Sequence, residues 1–135
     1  MRGMNTMASD KYFESFVTLK RWMENRNAGK NLASYFVDHH YKTVGIYGAG
    51  DLGSLLYAEL KGSNIKVKYF VDRNSEGLLQ VAGVPVIALN DIPKHAHIDV
   101  LIVTPIGNFD EICRDLIQIV PELSVISLKD AVYEV

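Results

Sequence analysis

Cysteine is almost absent from this sequence: Cys113 is the only one in 135 residues. A single cysteine excludes an intrachain disulfide and a metal site built from cysteines, and the place of Cys113 on the inward face of a helix predicted at 109–120 favours a packing role. The histidine pairs His39-His40 and His95-Ala96-His97 lack further ligands at metal-binding spacing. We therefore predict no metal site.

Long apolar runs and an excess of positive charge are also missing. No stretch approaches the roughly 18 uninterrupted apolar residues of a membrane span, and residues 1–9 lack the apolar core of a signal peptide. The net charge of -2 disfavours nucleic-acid binding, which needs a basic footprint. We predict a cytoplasmic protein without a membrane span.

The chain divides into three parts by pattern. Residues 1–9 read as a disordered start, residues 10–41 as a pair of helices, and residues 42–135 as one further domain. In the first helix, at 10–26, large apolar residues recur at helical spacing. The two helices are too rich in aromatic residues to stand alone in water. They must pack on the following domain or on another subunit. We expect them to form a homodimer or partner interface, and the alternative is that they fold against each other and the sheet.

Strands and helices alternate after residue 42. The predicted strands cover 43–47, 65–71, 84–87, 99–104 and 124–127, and the main helices cover 51–61 and 109–120. Residues 73–83 are predicted as a loop, and Gly62 as a left-handed residue that ends the first of these helices. This alternation predicts an α/β protein, Rossmann-like, with a five-stranded, mostly parallel sheet covered by helices on both faces.

A glycine motif of the form G-x-G-x-x-G follows the first strand and opens the next helix. Its six positions are Gly48, Ala49, Gly50, Asp51, Leu52 and Gly53. Gly48 permits a tight turn, Gly50 leaves room for a phosphate beside the backbone, and Gly53 allows close packing of helix on strand. The helix N-terminus then presents N–H groups to an anion. We predict that these six residues bind a nucleotide cofactor.

Polar residues at the ends of two other predicted strands complete the candidate site. Asp72 lies 19 residues after Gly53 at the end of the second strand, where a carboxylate binds an adenosine ribose and favours NAD over NADP. Arg73 opposes that preference, because an arginine there can hold a 2′-phosphate. Thr104 and Asn108 follow the fourth strand, and they either bind the ligand or serve as turn and helix-cap residues.

Three segments together resemble a known family. These are Tyr47-Gly48-Ala49-Gly50-Asp51-Leu52-Gly53, Tyr69-Phe70-Val71-Asp72-Arg73-Asn74 and Gly83-Val84-Pro85-Val86. The combination resembles the Rossmann module, of the CoA-binding-like group, at the front of bacterial capsular polysaccharide nucleotide-sugar epimerase/dehydratases. It is also similar to the N-terminal half of sialic-acid-type sugar acetyltransferases, whose Rossmann-like domain holds a UDP-sugar. The resemblance covers residues 42–128.

The resemblance implies a binding module in cell-surface polysaccharide or sugar-nucleotide metabolism. Its ligand is NAD(H) or a nucleotide sugar such as a UDP-sugar, and no catalytic residue is identified. Those relatives place their chemistry in a further domain, so we expect no complete active site here. One alternative is a small NAD-dependent sugar-nucleotide-modifying enzyme whose site is shared across a dimer. Another is an NADH-responsive redox sensor, and a methyltransferase is a weaker option.

Overall fold

Two helices precede a sheet in this computed structural model, which describes the backbone of residues 2–135 and the side chains of residues 10–135. The side chains of residues 1–9, where a disordered start was predicted, lie outside this description, and the helix that was predicted to begin at residue 10 begins at Arg2. The helices are α1 (Arg2–Asn27), α2 (Leu32–Asp38), α3 (Asp51–Leu60), α4 (Phe109–Ile119) and α5 (Leu128–Glu134). Short 3₁₀ turns cover Leu89–Lys94 and Ile106–Asn108.

Side-chain caps set the beginnings of two of these helices. The Asn31 side chain accepts a hydrogen bond from the N–H of Ala33 at 2.7 Å and begins α2. The Ser127 hydroxyl accepts from the N–H of Asp130 at 3.0 Å and begins α5. Each supplies an acceptor to an N–H that has no partner inside the helix.

The sheet has six strands, one more than predicted. They are β1 (Thr43–Tyr47), β2 (Lys66–Val71), β3 (Gln80–Val81), β4 (Val84–Ile87), β5 (Val100–Val103) and β6 (Val125–Ser127). Their order is β3-β4-β2-β1-β5-β6, and every pairing except β3 with β4 is parallel. The prediction of an α/β protein with a mostly parallel sheet is therefore confirmed.

The additional strand and the end of α3 correct two details. β3 lies in the predicted loop at 73–83 and pairs with β4 through a two-residue turn, in which Ala82 and Gly83 both have positive φ. That conformation matches the twist of a hairpin. Gly62, by contrast, is not left-handed. The chain leaves α3 through Lys61 in the right-handed region, with φ of -62°.

Each face of the sheet carries its own apolar core. Alternate residues of β1 and β5 point to opposite faces, so Ile46 joins one core and Tyr47 the other. The first core contains residues of α1, α2, α3 and α5, and the second contains residues of α4 and the first 3₁₀ turn. Residues at the carboxyl ends of β1 and β2, and residues that follow β5, line a shallow pocket between these layers, and the candidate site lies there.

The N-terminal helices pack on the following domain through one buried carboxylate. Glu59 of α3 accepts hydrogen bonds from Trp22 Nε1 at 2.8 Å, from Arg26 Nη1 at 2.6 Å and from the N–H of Leu32 at 2.6 Å. These bonds join α1 and the start of α2 to α3. Within the described residues, no helix has the length and apolar character needed to cross a membrane.

Candidate functional site

The glycine motif forms a tight turn between β1 and α3. Gly48 has a φ of +103°, and a Cβ at this position would lie 2.5 Å from Thr104 Oγ1. A Cβ on Gly53 would lie 1.9 Å from the carbonyl oxygen of Gly48. Both positions therefore exclude a side chain, for conformational and steric reasons at Gly48 and for steric reasons at Gly53.

Gly50 differs from the other two glycines because the space beside it is open. A Cβ there would meet no atom of the described residues within 4 Å, and its φ of -89° is accessible to other residues. The fold itself does not need glycine at this position. What glycine provides at position 50 is unobstructed access to the backbone from outside the molecule.

The first turn of α3 presents unpaired hydrogen-bond donors. Among the described residues, no acceptor is seen for the N–H groups of Gly50, Asp51, Leu52 and Gly53, and Gly50 provides no side-chain cap. Four such donors at the positive end of a helix dipole form an anion-binding geometry. The exposed Asp51 carboxylate adds a negative charge to the same turn.

Asp72 holds this turn in place. Its Oδ2 accepts from the N–H of Ala49 at 2.8 Å, and its Oδ1 accepts from the N–H of Asn74 at 2.8 Å. The side chain is partly exposed. A carboxylate oxygen has two lone pairs, so each oxygen retains capacity for a further hydrogen bond from a hydroxyl group.

A shallow pocket of about 220 Å³ lies beside the turn, and its lining unites residues from three strand ends. Gly48, Asp72, Arg73 and Asn108, all predicted site residues, line it. Tyr47, Pro105 and Ile112 complete the lining, and the sequence analysis did not assign them to the site. Two sequence signals could have found Tyr47 and Pro105: Tyr47 ends a predicted strand, and Pro105 lies between Thr104 and Asn108. The sequence offered no signal for Ile112.

Thr104 and Asn108 occupy different positions at this edge. Thr104 is buried, and its hydroxyl donates to the carbonyl oxygen of Tyr47 at 2.8 Å, which supports the turn from behind. Asn108 is exposed and lines the pocket, and its side chain makes no capping bond to α4. Of the two, Asn108 is therefore the residue with free hydrogen-bonding groups at the pocket.

Arg73 brings positive charge to the rim. Its Nη2 atom lies 3.5 Å from Oδ2 of Asp115. The neighbouring Tyr47 side chain is the main reason why the pKa of Arg73 lies above its ordinary value. The side chain is 69% exposed, so the ion pair is weak and the guanidinium can reorient toward an anion.

A second basic residue reaches this region from α1. A Cβ on Gly107 would lie 2.6 Å from Cγ of Lys11, so the aliphatic stem of Lys11 packs over the 3₁₀ turn that follows β5. Sequence reasoning missed this residue, because only the tertiary structure brings positions 11 and 107 together.

Metal ligation and cysteine chemistry are the two other possibilities that the sequence raised. No group of three or more metal-ligating side chains converges in the described part of the chain. Burial, with a smaller contribution from Asp110, raises the pKa of the Cys113 thiol, which disfavours the reactive thiolate. A larger cavity of about 480 Å³ lies at the amino ends of β5 and β6, away from the glycine turn.

Comparison with protein families identifies one match. Residues 40–126 match the family described as C2185-like, N-terminal. The matched segment contains the glycine turn, Asp72, Arg73 and Asn108, and it leaves out α1 and α2. A comparison with curated proteins finds no match.

Proposed function

We propose that this chain, which belongs to the C2185-like N-terminal family, is a Rossmann-like module that binds NAD(H) or a nucleotide sugar. The observation that carries this proposal is the first turn of α3. Its four unpaired N–H groups adjoin a glycine, Gly50, beside which the space is open. A pyrophosphate supplies the negative charge and acceptor oxygens that such a turn lacks.

The topology supports the same proposal. The parallel strands lie in the order β4-β2-β1-β5-β6 across the sheet. When these five strands alone are numbered along the chain, this order is 3-2-1-4-5. This is the start of the Rossmann order, in which the ligand crosses the sheet where the order reverses. Here the reversal falls between β1 and β5, beside the glycine turn.

The pocket accommodates part of such a ligand. Its volume of about 220 Å³ is below the roughly 300–1,000 Å³ of ordinary small-molecule pockets. We infer that it holds the ribose end of the nucleotide, with the pyrophosphate over Gly50. Asp72 accepts from the ribose hydroxyls and disfavours a 2′-phosphate, so NAD is the first candidate and a UDP-sugar the alternative.

The pocket lining favours binding over catalysis. Among the described residues that line the pocket, Asp72 is the only carboxylate, and its two oxygens already accept hydrogen bonds from the backbone of Ala49 and Asn74. We therefore propose a cytoplasmic binding module in polysaccharide or sugar-nucleotide metabolism that has no complete active site of its own. Its resemblance to the front module of nucleotide-sugar epimerase/dehydratases supports that pathway.

We also infer that α1 forms a homodimer interface. One face of the helix packs on its own domain, and several large apolar side chains remain exposed on another face. Exposed apolar patches mark association sites, and two-fold dimers are the commonest assemblies.

A thermal-shift screen tests the nucleotide proposal. The chain is titrated with NAD, NADH, NADP, UDP-sugars, coenzyme A and S-adenosylmethionine. We expect NAD, NADH or a UDP-sugar to raise the melting temperature in proportion to the logarithm of ligand concentration over Kd. The proposal is contradicted if only S-adenosylmethionine or coenzyme A raises the melting temperature. It is also contradicted if none of the six compounds raises it.

A further inference from the structure

The outer face of α1 carries a stripe of large apolar side chains. Its members, with their exposed fractions, are Tyr12 (77%), Phe13 (66%), Phe16 (63%), Leu19 (39%) and Met23 (58%). The inner face of the same helix is already occupied, since Thr18, Trp22 and Asn25 are buried against the domain. The described part of this chain therefore leaves the stripe uncovered.

The stripe extends onto the neighbouring helix. Leu55 of α3 is 48% exposed and, with Leu19 and Met23, lines a groove of about 320 Å³ between α1 and α3. The apolar surface is thus continuous over two helices.

The spacing within the stripe is self-complementary. Tyr12, Phe16, Leu19 and Met23 are separated by four, three and four residues, the spacing of coiled-coil contact positions. A half-turn about a point between positions 17 and 18 exchanges Tyr12 with Met23 and Phe16 with Leu19. Contacts across a two-fold axis require this exchange. If residue i of one chain contacts residue j of the other, then residue j of the first chain contacts residue i of the second.

We propose that α1 pairs antiparallel with α1 of a second copy of this chain, about a two-fold axis near positions 17 and 18. Phe16 of each chain packs on Leu19 of the other, and Tyr12 of each chain packs on Met23 of the other. This geometry rests on the homodimer proposed above and specifies its orientation and register.

The exposed area is sufficient for such an interface. An aromatic side chain contributes about 150–250 Å² when buried, so the three exposed aromatic residues offer about 300–500 Å² between them. Leu19, Met23 and Leu55 add to this area. A standard interface buries about 800 Å² on each partner, so the stripe and Leu55 supply most of what a stable dimer needs.

Charges beside the stripe are already paired within the chain. Lys20 and Glu24 form an ion pair at 2.8 Å on the exposed side of α1, and Glu14 pairs with Lys129 of α5 at 2.8 Å. Pairing of the two α1 helices therefore does not bury these charges without a partner, which would be costly.

Two measurements test the proposal. Light scattering gives the mass in solution, and a dimer is expected at micromolar concentration. A chain with Cys113→Ala and Asn27→Cys is then spin-labelled at position 27 for distance measurement. With a rise of about 1.5 Å per residue and helix axes about 8–10 Å apart, antiparallel pairing places the two α-carbons of residue 27 about 30 Å apart. A parallel pair places them at about 10 Å.

The outcomes separate the two levels of the inference. A monomer overturns both the dimer and its geometry, whereas a dimer with the short distance overturns the antiparallel register alone. Phe16→Glu is expected to give a folded monomer, with folding checked by Trp22 fluorescence. The matched control Leu79→Glu changes an exposed leucine outside α1 and leaves the dimer intact. Nucleotide titration of the Phe16→Glu monomer reports on the proposed ligand independently of assembly.

Discussion

The carboxylate of Asp72 accepts a hydrogen bond from the backbone N–H of Ala49 at 2.8 Å, which joins the end of β2 to the glycine turn after β1. One side chain thereby sets the position of the turn and lies beside the pocket where a ribose would bind. The glycine turn and the acidic strand end, which were predicted separately from the sequence, are joined by this hydrogen bond in the structure.

Gly50→Val should abolish nucleotide binding while leaving the fold intact. The valine side chain enters the open space that a phosphate needs, yet its Cβ meets no atom of the described residues within 4 Å. Calorimetric titration measures the binding. Gly62→Val is the matched control, because Gly62 also faces open space but lies beyond the other end of α3. Undiminished binding by a folded Gly50→Val chain rules out the glycine turn as the phosphate site.

Asp72→Ala should weaken both the ligand complex and the folded chain. The loss in binding free energy is roughly 1–3 kcal/mol, the range for a hydrogen bond to a charged group. The melting temperature also falls, because the N–H groups of Ala49 and Asn74 lose their acceptor. Asp51→Ala removes the neighbouring exposed carboxylate, which stabilises the helix N-terminus by only about 0.3–1 kcal/mol, so the melting temperature should fall less than in Asp72→Ala. If the unaltered chain binds NADP more tightly than NAD, the role of Asp72 is wrong and Arg73 becomes the residue to test.

Glu59→Gln should loosen the N-terminal helices. An amide cannot provide the charge and the three acceptor contacts that the buried carboxylate gives to Trp22, Arg26 and Leu32. We expect unfolding free energy to fall by roughly 1.5–3 kcal/mol. Trp22 is the only tryptophan, so a red shift of its emission reports the loosening directly. The exposed Glu76→Gln change is the control, and an unshifted spectrum for Glu59→Gln argues against this anchoring role.

Thr18→Val should stabilise the protein. The Thr18 hydroxyl is buried and has no hydrogen-bond partner among the described residues, and valine has nearly the same shape. Removing an unsatisfied buried group should raise the unfolding free energy by roughly 1 kcal/mol. Thr104→Val is the same substitution at a buried hydroxyl that donates to Tyr47, and it should destabilise. Urea denaturation measures the change in unfolding free energy for both variants. The assignment is contradicted if the two changes have the same sign.

Asp99 should make stability depend on pH in the acid range. Hydrogen bonds from the N–H groups of Lys42 and Thr43 hold the pKa of Asp99 below its ordinary value of 3.8. A lowered folded-state pKa gives stabilisation that is present above the unfolded pKa and is lost as pH falls through the folded pKa. Asp99→Asn should therefore be less stable near pH 6, and the difference should shrink below about pH 4. Urea denaturation across pH measures this. A difference that stays constant across this pH range contradicts the prediction.

Most of the strands and helices were accessible from sequence because local signals were strong. The β1 bounds at 43–47 and the β4 bounds at 84–87 agree with the prediction, since apolar runs bounded by glycine or polar residues define them. β3 was missed because it has only two residues and its Ala82-Gly83 turn lacks the Asn-Gly or Asp-Gly signature. Gly62 was misread because a glycine after a helix is common at left-handed positions, yet here Lys61 continues the right-handed turn.

The sequence by itself determined the α/β class, the parallel strands and the glycine turn, since hydrophobic periodicity and steric limits at glycine act over a few residues. Only the tertiary structure decided which side chains meet. It brought Tyr47 and Ile112 to the pocket, buried Thr104 behind the turn, and placed Glu59 beneath Trp22. These contacts join residues up to about 65 positions apart, as from Tyr47 to Ile112. Their formation depends on how whole helices pack on the sheet, which no local pattern encodes.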